Sequence, residues 1–155
     1  MGLVGALAAQ LFTRLLDLCS RVILRGVAGY ASPGLPWEGG VLAETIGHSG
    51  RWLIPLATAT GGLLVGILTR NFAPEAEGHG TDTVVKAFHR AGGLLRPVVA
   101  PVKLLASALT IGSGGSGGRE GPVALVSAGV GSWYATITQR SESDRRLLLL
   151  IGMAA

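Results

Sequence analysis

Charge is scarce in this chain. Asp, Glu, Lys and Arg supply 14% of its 155 residues, where an average soluble domain carries about 25%. Ala, Leu, Val and Gly take their place, and the mean hydropathy is +0.50. That balance points to a bilayer rather than water as the main solvent of the fold. Cysteine is nearly missing. The single Cys19 excludes an internal disulfide and any zinc site built on several thiolates, and it is expected to be a small lipid-facing or packing residue. Basic runs are missing as well. The formal net charge is +4, but the 13 Lys and Arg are scattered singly or in pairs, with no run longer than Arg145-Arg146. A nucleic-acid partner needs a basic stripe or patch, so these charges are read as interfacial and loop residues. The start, Met1 to Thr13, lacks a basic n-region and continues directly into Arg14. It is expected to belong to a first membrane helix, not to a cleavable leader. No internal repeat is found.

Glycine, in contrast, is abundant. The 25 glycines follow no collagen period and sit inside apolar stretches, as expected where helix backbones pack closely in a membrane. The clearest span is the uncharged run Trp52 to Thr69, close to the roughly 20 residues a helix needs to cross the hydrocarbon core. Trp52 is placed as an interfacial anchor, and Gly62 and Gly66 form a small-xxx-small pair suited to close helix packing. The first segment, Leu3 to about Tyr30, carries Arg14, Asp17, Arg21 and Arg25 on one helical face, which predicts a long amphipathic helix. Residues 26 to 50 contain Pro33 and Pro36 and no Lys or Arg. They are predicted to be a loop with one short helix near Glu44.

Shorter pieces follow. Thr81 to Ala91 predicts a short helix capped by Thr81 or Asp82. Pro97 to Ile111 is apolar apart from Lys103 but too short to span alone. Gly112 to Gly118 is a Gly/Ser run, and Gly121 to Gln139 is again free of charge, as a membrane helix would be. The last helix is signalled by Ser141-Glu142-Ser143-Asp144 and is still apolar at Ala155. Residues 1–155 are therefore expected to be the N-terminal half of a transmembrane domain, truncated at its C-terminal end.

The sequence from Gly112 to Pro122 carries the chemistry. A Gly-rich turn feeding a helix exposes free backbone N–H groups at the positive end of the helix dipole, a setting that binds anions. Pro122 suits a first helical turn. Irregular backbone at membrane depth is tolerated only where it is buried in protein or lines an aqueous cavity, and broken helices aimed at an anion recur in transporters. The same run also fits G-x-G-x-x-G through Gly112, Gly114 and Gly117. The alternative is then a nucleotide-binding enzyme. That motif wants a preceding strand and an acidic residue roughly 20 positions on, whereas Glu120 comes too early. No Lys follows the last glycine, which excludes a Walker A loop.

Glu120 has a plain reading, a carboxylate complementing a helix dipole or pairing with Arg119. Inside a membrane an ionisable residue is more informative. A carboxylate at the mouth of an anion site can occupy it as a tethered anion and leave it on protonation.

Gly118-Arg119-Glu120-Gly121-Pro122 resembles the GREGP signature of the CLC chloride channel and transporter family. Ala73-Pro74-Glu75-Ala76 with Gly78-His79-Gly80 is similar to the segment that opens the family's first anion motif. Pro101-Val102-Lys103 resembles its PVK, and Leu148 to Ala155 the apolar stretch that follows. The detailed likeness runs from about Arg70 to Ala155; residues 1 to 69 fit the first two long family helices by pattern only. The resemblance implies an all-α, polytopic membrane fold of tilted and broken helices, and chloride movement with Glu120 as gate. Anion-binding positions would be His79, Gly80, Arg119, Glu120 and Gly121. His79 stands where the family commonly has a chloride-contacting serine, and Asp82 where it has proline, so either an imidazole N–H or the backbone alone would contribute. His48 and His89 are expected only in loop and surface positions. The resemblance also implies a homodimer in the plasma or inner membrane, with lipid contact, possible proton coupling, no nucleic acid, no metal and no organic cofactor. Pro122 favours chloride over fluoride, although another anion remains the alternative within the family. The GxFxP motif, the tyrosine and the inner glutamate that complete the family's site are not in this sequence, which leaves channel and exchanger open.

Overall fold

The computed structural model describes residues 2–27, 29–31, 45–46 and 50–154. Among the described residues the regular secondary structure is helical but for one minimal ladder. Helix α1 (Gly2–Ser20) continues into a π-helical turn, Arg21–Val27. Two short strands, β1 (Tyr30–Ala31) and β2 (Thr45–Ile46), pair antiparallel with Tyr30 opposite Ile46. Then come α2 (Gly50–Phe72), a 3₁₀ turn (Pro74–Ala76), α3 (Thr81–Arg90), α4 (Val99–Gly112), α5 (Glu120–Ile137) and α6 (Glu142–Ala154). The expected loop features at Pro33, Pro36 and His48, and the short helix near Glu44, lie outside the described residues.

Two helices are long and apolar enough to cross a membrane, Gly2–Val27 and Trp52–Phe72. In the first, Gly5, Ala8, Phe12 and Leu16 form the buried stripe, at the spacing of one helix face. Arg14, Asp17, Arg21 and Arg25 are all exposed. In α2 only Ala57 and Gly61 are buried within residues 52–72, and Trp52 is 87% exposed near the start. The hydroxyls of Thr58, Thr60 and Thr69 donate to carbonyls one turn back in the same helix, which satisfies them without water.

Among the described residues nothing lies within 4 Å of a β-carbon built at Gly62 or Gly66. The close contact falls one position earlier, where Gly61 sits against the Ser113 side chain, because a single residue turns a helix by about 100°. The charge-free run Gly121 to Gln139 forms most of helix α5, which is packed among the other helices. Leu125, Ala128 and Ala135 are fully buried, as is Ser132. Its glycines and hydroxyls lower its hydropathy and let neighbours approach.

Those neighbours are α1, α3, α4 and α6. Helices α5 and α6 meet backbone to backbone: Gly131 abuts the Leu148 carbonyl, and Gly152 abuts the Ser127 carbonyl. One core cluster gathers Val84 and Ala87 of α3, Val99 and Val102 of α4, Leu125 and Ala128 of α5 and Leu149 of α6. The other joins Phe12 and Leu16 of α1 to Leu104 and Ala108 of α4. The turn between α3 and α4 is pinned to α5 by Ser132, whose hydroxyl donates to the Gly93 carbonyl (2.6 Å) and accepts from the Leu95 N–H (2.9 Å). Helix α6 opens with Ser141, whose Oγ accepts from the Asp144 N–H at 3.2 Å, an N-cap as the sequence predicts.

Candidate functional site

The Gly run begins as a helix stop. Gly114, at φ +97°, takes the left-handed conformation that glycine adopts at no steric cost. Its N–H donates to the Ile111 carbonyl (3.0 Å), and the Gly115 N–H to the Thr110 carbonyl (2.8 Å). This closes the last turn of α4 in a Schellman motif. The Thr58 hydroxyl of α2 lies 2.8 Å from the Ser113 carbonyl and shares its one proton between that oxygen and the Ile54 carbonyl of its own helix, so the start of the run is tied to the second apolar helix. The element before the run is a helix. The context of a dinucleotide-binding turn, a strand feeding the glycines, is not present.

After the run, α5 starts at Glu120, with Arg119 at the N-cap position and Pro122 in the first turn. The first N–H groups of any helix lack intrahelical acceptors, and those of α5 include Glu120 and Gly121. Arg119 and Glu120 have exposed side chains.

The other wall is the segment 74–80. Its conformation depends on two glycines in the left-handed region, Gly78 (φ +76°) and Gly80 (φ +98°). Gly80 is the N-cap of α3, and no side-chain cap bond is made. Thr81 is the first helical residue and Asp82 follows within the first turn, so neither caps as expected; the glycine has displaced the cap one residue earlier. Three side chains fix this segment. The Thr83 hydroxyl donates to the Glu75 carbonyl at 2.6 Å. Arg96 pairs with the Glu75 carboxylate at 3.1 Å. The Lys103 ammonium donates to the carbonyls of Ala76 (3.2 Å) and Gly78.

The two walls touch. A β-carbon on Gly80 would stand 3.2 Å from the Gly121 carbonyl and 3.2 Å from Cβ of Leu125, while one on Gly121 would overlap the His79 carbonyl. The starts of α3 and α5, separated by some forty positions in sequence, therefore abut through residues without side chains. Beside them lies a cavity of about 440 Å³, lined among others by Gly66, Gly78, His79, Lys103, Gly118 and Pro122. Of the residues singled out in the sequence, His79, Gly80 and Gly121 are brought together, and Arg119 and Glu120 adjoin them at the head of α5. Lys103 was seen in the sequence only as part of a motif. It is 5% exposed, and a lone Lys inside an otherwise apolar stretch was the available signal.

Two bilayer-length apolar helices together with shorter ones make an all-α fold consistent with part of a membrane protein. Residues 61–155 match the family described as voltage gated chloride channel, and the chain belongs to that family, the CLC channels and antiporters. It is similar to the H(+)/Cl(-) exchange transporter ClcA of Klebsiella pneumoniae (strain 342), 36% identical over 126 residues, covering 75% of this chain and 25% of the relative. The corresponding ClcA of Salmonella arizonae is 36% identical over 124 residues, with the same coverage. The chain thus spans about a quarter of the length of the curated relatives it matches. That family is one of channels and transporters, not of enzymes.

Proposed function

We propose that this chain is part of a polytopic CLC-type transmembrane domain that moves chloride across a membrane, with Glu120 as the gate. The observation that carries the reading is the abutment of the α3 and α5 starts at Gly80 and Gly121. Each start presents free N–H groups and the positive end of a dipole. Two such ends converging beside one cavity favour a small anion over a cation.

In this reading the backbone of Gly80, Arg119, Glu120 and Gly121 supplies donors, and His79 adds one from its ring, since an imidazole N–H can replace a hydroxyl O–H. Glu120, at the head of α5, is the nearest tethered competitor for an anion held there. Its carboxylate fills the outer position; protonation or displacement by chloride releases it. Proton coupling belongs to the proposal and is supported by the likeness to relatives named for exchange of H(+) and Cl(-); a homodimeric assembly and multi-pass placement in a plasma or inner membrane are proposed with it. The quarter-length match supports reading residues 1–155 as one portion of that domain, with the anion path completed by further helices.

The test is chloride efflux from liposomes holding the full-length protein. Efflux that saturates with chloride and exceeds that of larger, weakly held anions is expected. Liposomes no leakier than protein-free ones would overturn the assignment. The 155-residue portion alone should release no chloride, since helix faces such as Leu56, Leu63 and Ile67 of α2 are exposed and would lack partner helices.

A further inference from the structure

Among the described residues one charged side chain is buried, and it takes no part in the gating scheme. Lys103 lies in α4, 5% exposed, and lines the same cavity as His79. A buried ammonium is costly unless its donors are used. Here two of the three are: one goes to the Ala76 carbonyl at 3.2 Å, the other to the Gly78 carbonyl.

The choice of those two carbonyls matters. A trans peptide is planar, with its C=O and N–H pointing in opposite directions. Holding the Gly78 oxygen therefore fixes the direction of the His79 N–H. Holding the Ala76 oxygen does the same for the Glu77 N–H, which donates to the Pro74 carbonyl at 3.2 Å. Gly78 itself is at φ +76° and has no side chain, so little else restrains its peptide plane. On the far side of His79, its carbonyl is pressed against Gly121. The backbone of His79 is thus held at both ends, by Lys103 before it and by the α5 start after it.

We propose that Lys103 is a positioning residue for the anion path: by binding the Ala76 and Gly78 carbonyls it sets the orientation of the His79 peptide and the seating of the α3 start against Gly121. It also draws two carbonyl oxygens, which would repel an anion, onto a cation of its own. This inference rests on the proposed anion site and adds a residue to it.

The test uses the full-length protein in liposomes, with chloride as the probe. Lys103→Met keeps the apolar stem and removes both donors and charge. It should raise the half-saturating chloride concentration at least tenfold, with maximal flux changed less than threefold. Lys103→Arg keeps the charge but cannot place a forked guanidinium on the same two carbonyls, and should lie about threefold above wild type. Wild-type affinity in Lys103→Met, as a monodisperse protein, would overturn the proposal. If Lys103→Met does not yield folded protein, Lys103→Arg decides: affinity equal to wild type overturns it, and the threefold rise supports it. Glu120→Gln in parallel separates the two readings. If Glu120→Gln alters pH dependence while the Lys103 variants do nothing, only the positioning role fails; if wild type carries no chloride, the site assignment itself fails.

Discussion

Gly121 stands so close to the carbonyl of His79 that a β-carbon at this position would overlap the oxygen. The two residues belong to different helix starts, and their contact is what brings the α3 and α5 N-termini to one place. Gly121→Ala should therefore force the starts apart, with a loss of about 1–3 kcal/mol in stability from overpacking and a weaker chloride affinity. Gly118→Ala is the control. A β-carbon there would meet nothing within 4 Å, and its effect on stability should stay within about 0.5 kcal/mol. Thermal unfolding in detergent compares the two; equal effects would show that the close approach at Gly121 is not what matters.

His79 should tune anion affinity rather than control opening. Its side chain is exposed on the cavity wall, next to the contact just described. Removing one hydrogen bond to an anion costs on the order of 1.5 kcal/mol, roughly tenfold in affinity. His79→Ala in the full-length protein should show that loss, and His79→Ser should recover part of it. Unchanged chloride affinity in both would leave only the backbone of this residue in the site.

Ser132→Ala tests the frame that supports α3 and α4. The hydroxyl is fully buried and serves both the Gly93 carbonyl and the Leu95 N–H. Without it these groups have no partner of the same reach, and the loss should be about 1–3 kcal/mol. A stability equal to wild type by unfolding in detergent would mean that water takes the hydroxyl's place.

Gly131 and Gly152 hold α5 and α6 at backbone distance, each against a carbonyl of the other helix. Alanine at either should destabilise by about 1–3 kcal/mol. The double variant should cost less than the sum, because the first change already spreads the helices and the sites share one interface. Full additivity would show that the two contacts are independent.

Much of this was legible before any coordinates. Apolar run length marked α2, the Ser141 start signal marked α6, and the Gly112–Gly118 run marked the break between α4 and α5. The motif containing Glu120 led to the family, which residues 61–155 then match. What could not be read was register and contact. Gly62 and Gly66 stand out as a small-residue pair of α2, and among the described residues it is Gly61 that makes a close contact; the sequence shows small residues but not which face meets which neighbour. Thr81 and Asp82 have the chemistry of an N-cap, yet Gly80 holds that place, because the chain must turn through a left-handed residue to bring α3 against α5. The carbonyl partners of Lys103 are twenty-seven and twenty-five positions away, and no local pattern announces them.

The most direct test of the central claim is the pH dependence of flux in Glu120 variants of the full-length protein. Glu120→Gln approximates the protonated side chain and Glu120→Ala removes it; both delete the tethered anion at the head of α5. Chloride and proton flux would be recorded together in liposomes over a range of pH, for wild type and both variants. With Glu120 as the gate, both variants should carry chloride with most of the pH dependence lost, and any proton flux coupled to chloride in wild type should vanish. Wild-type pH dependence together with intact coupling in both variants would contradict the gate and leave Glu120 as a charge that merely complements its helix dipole.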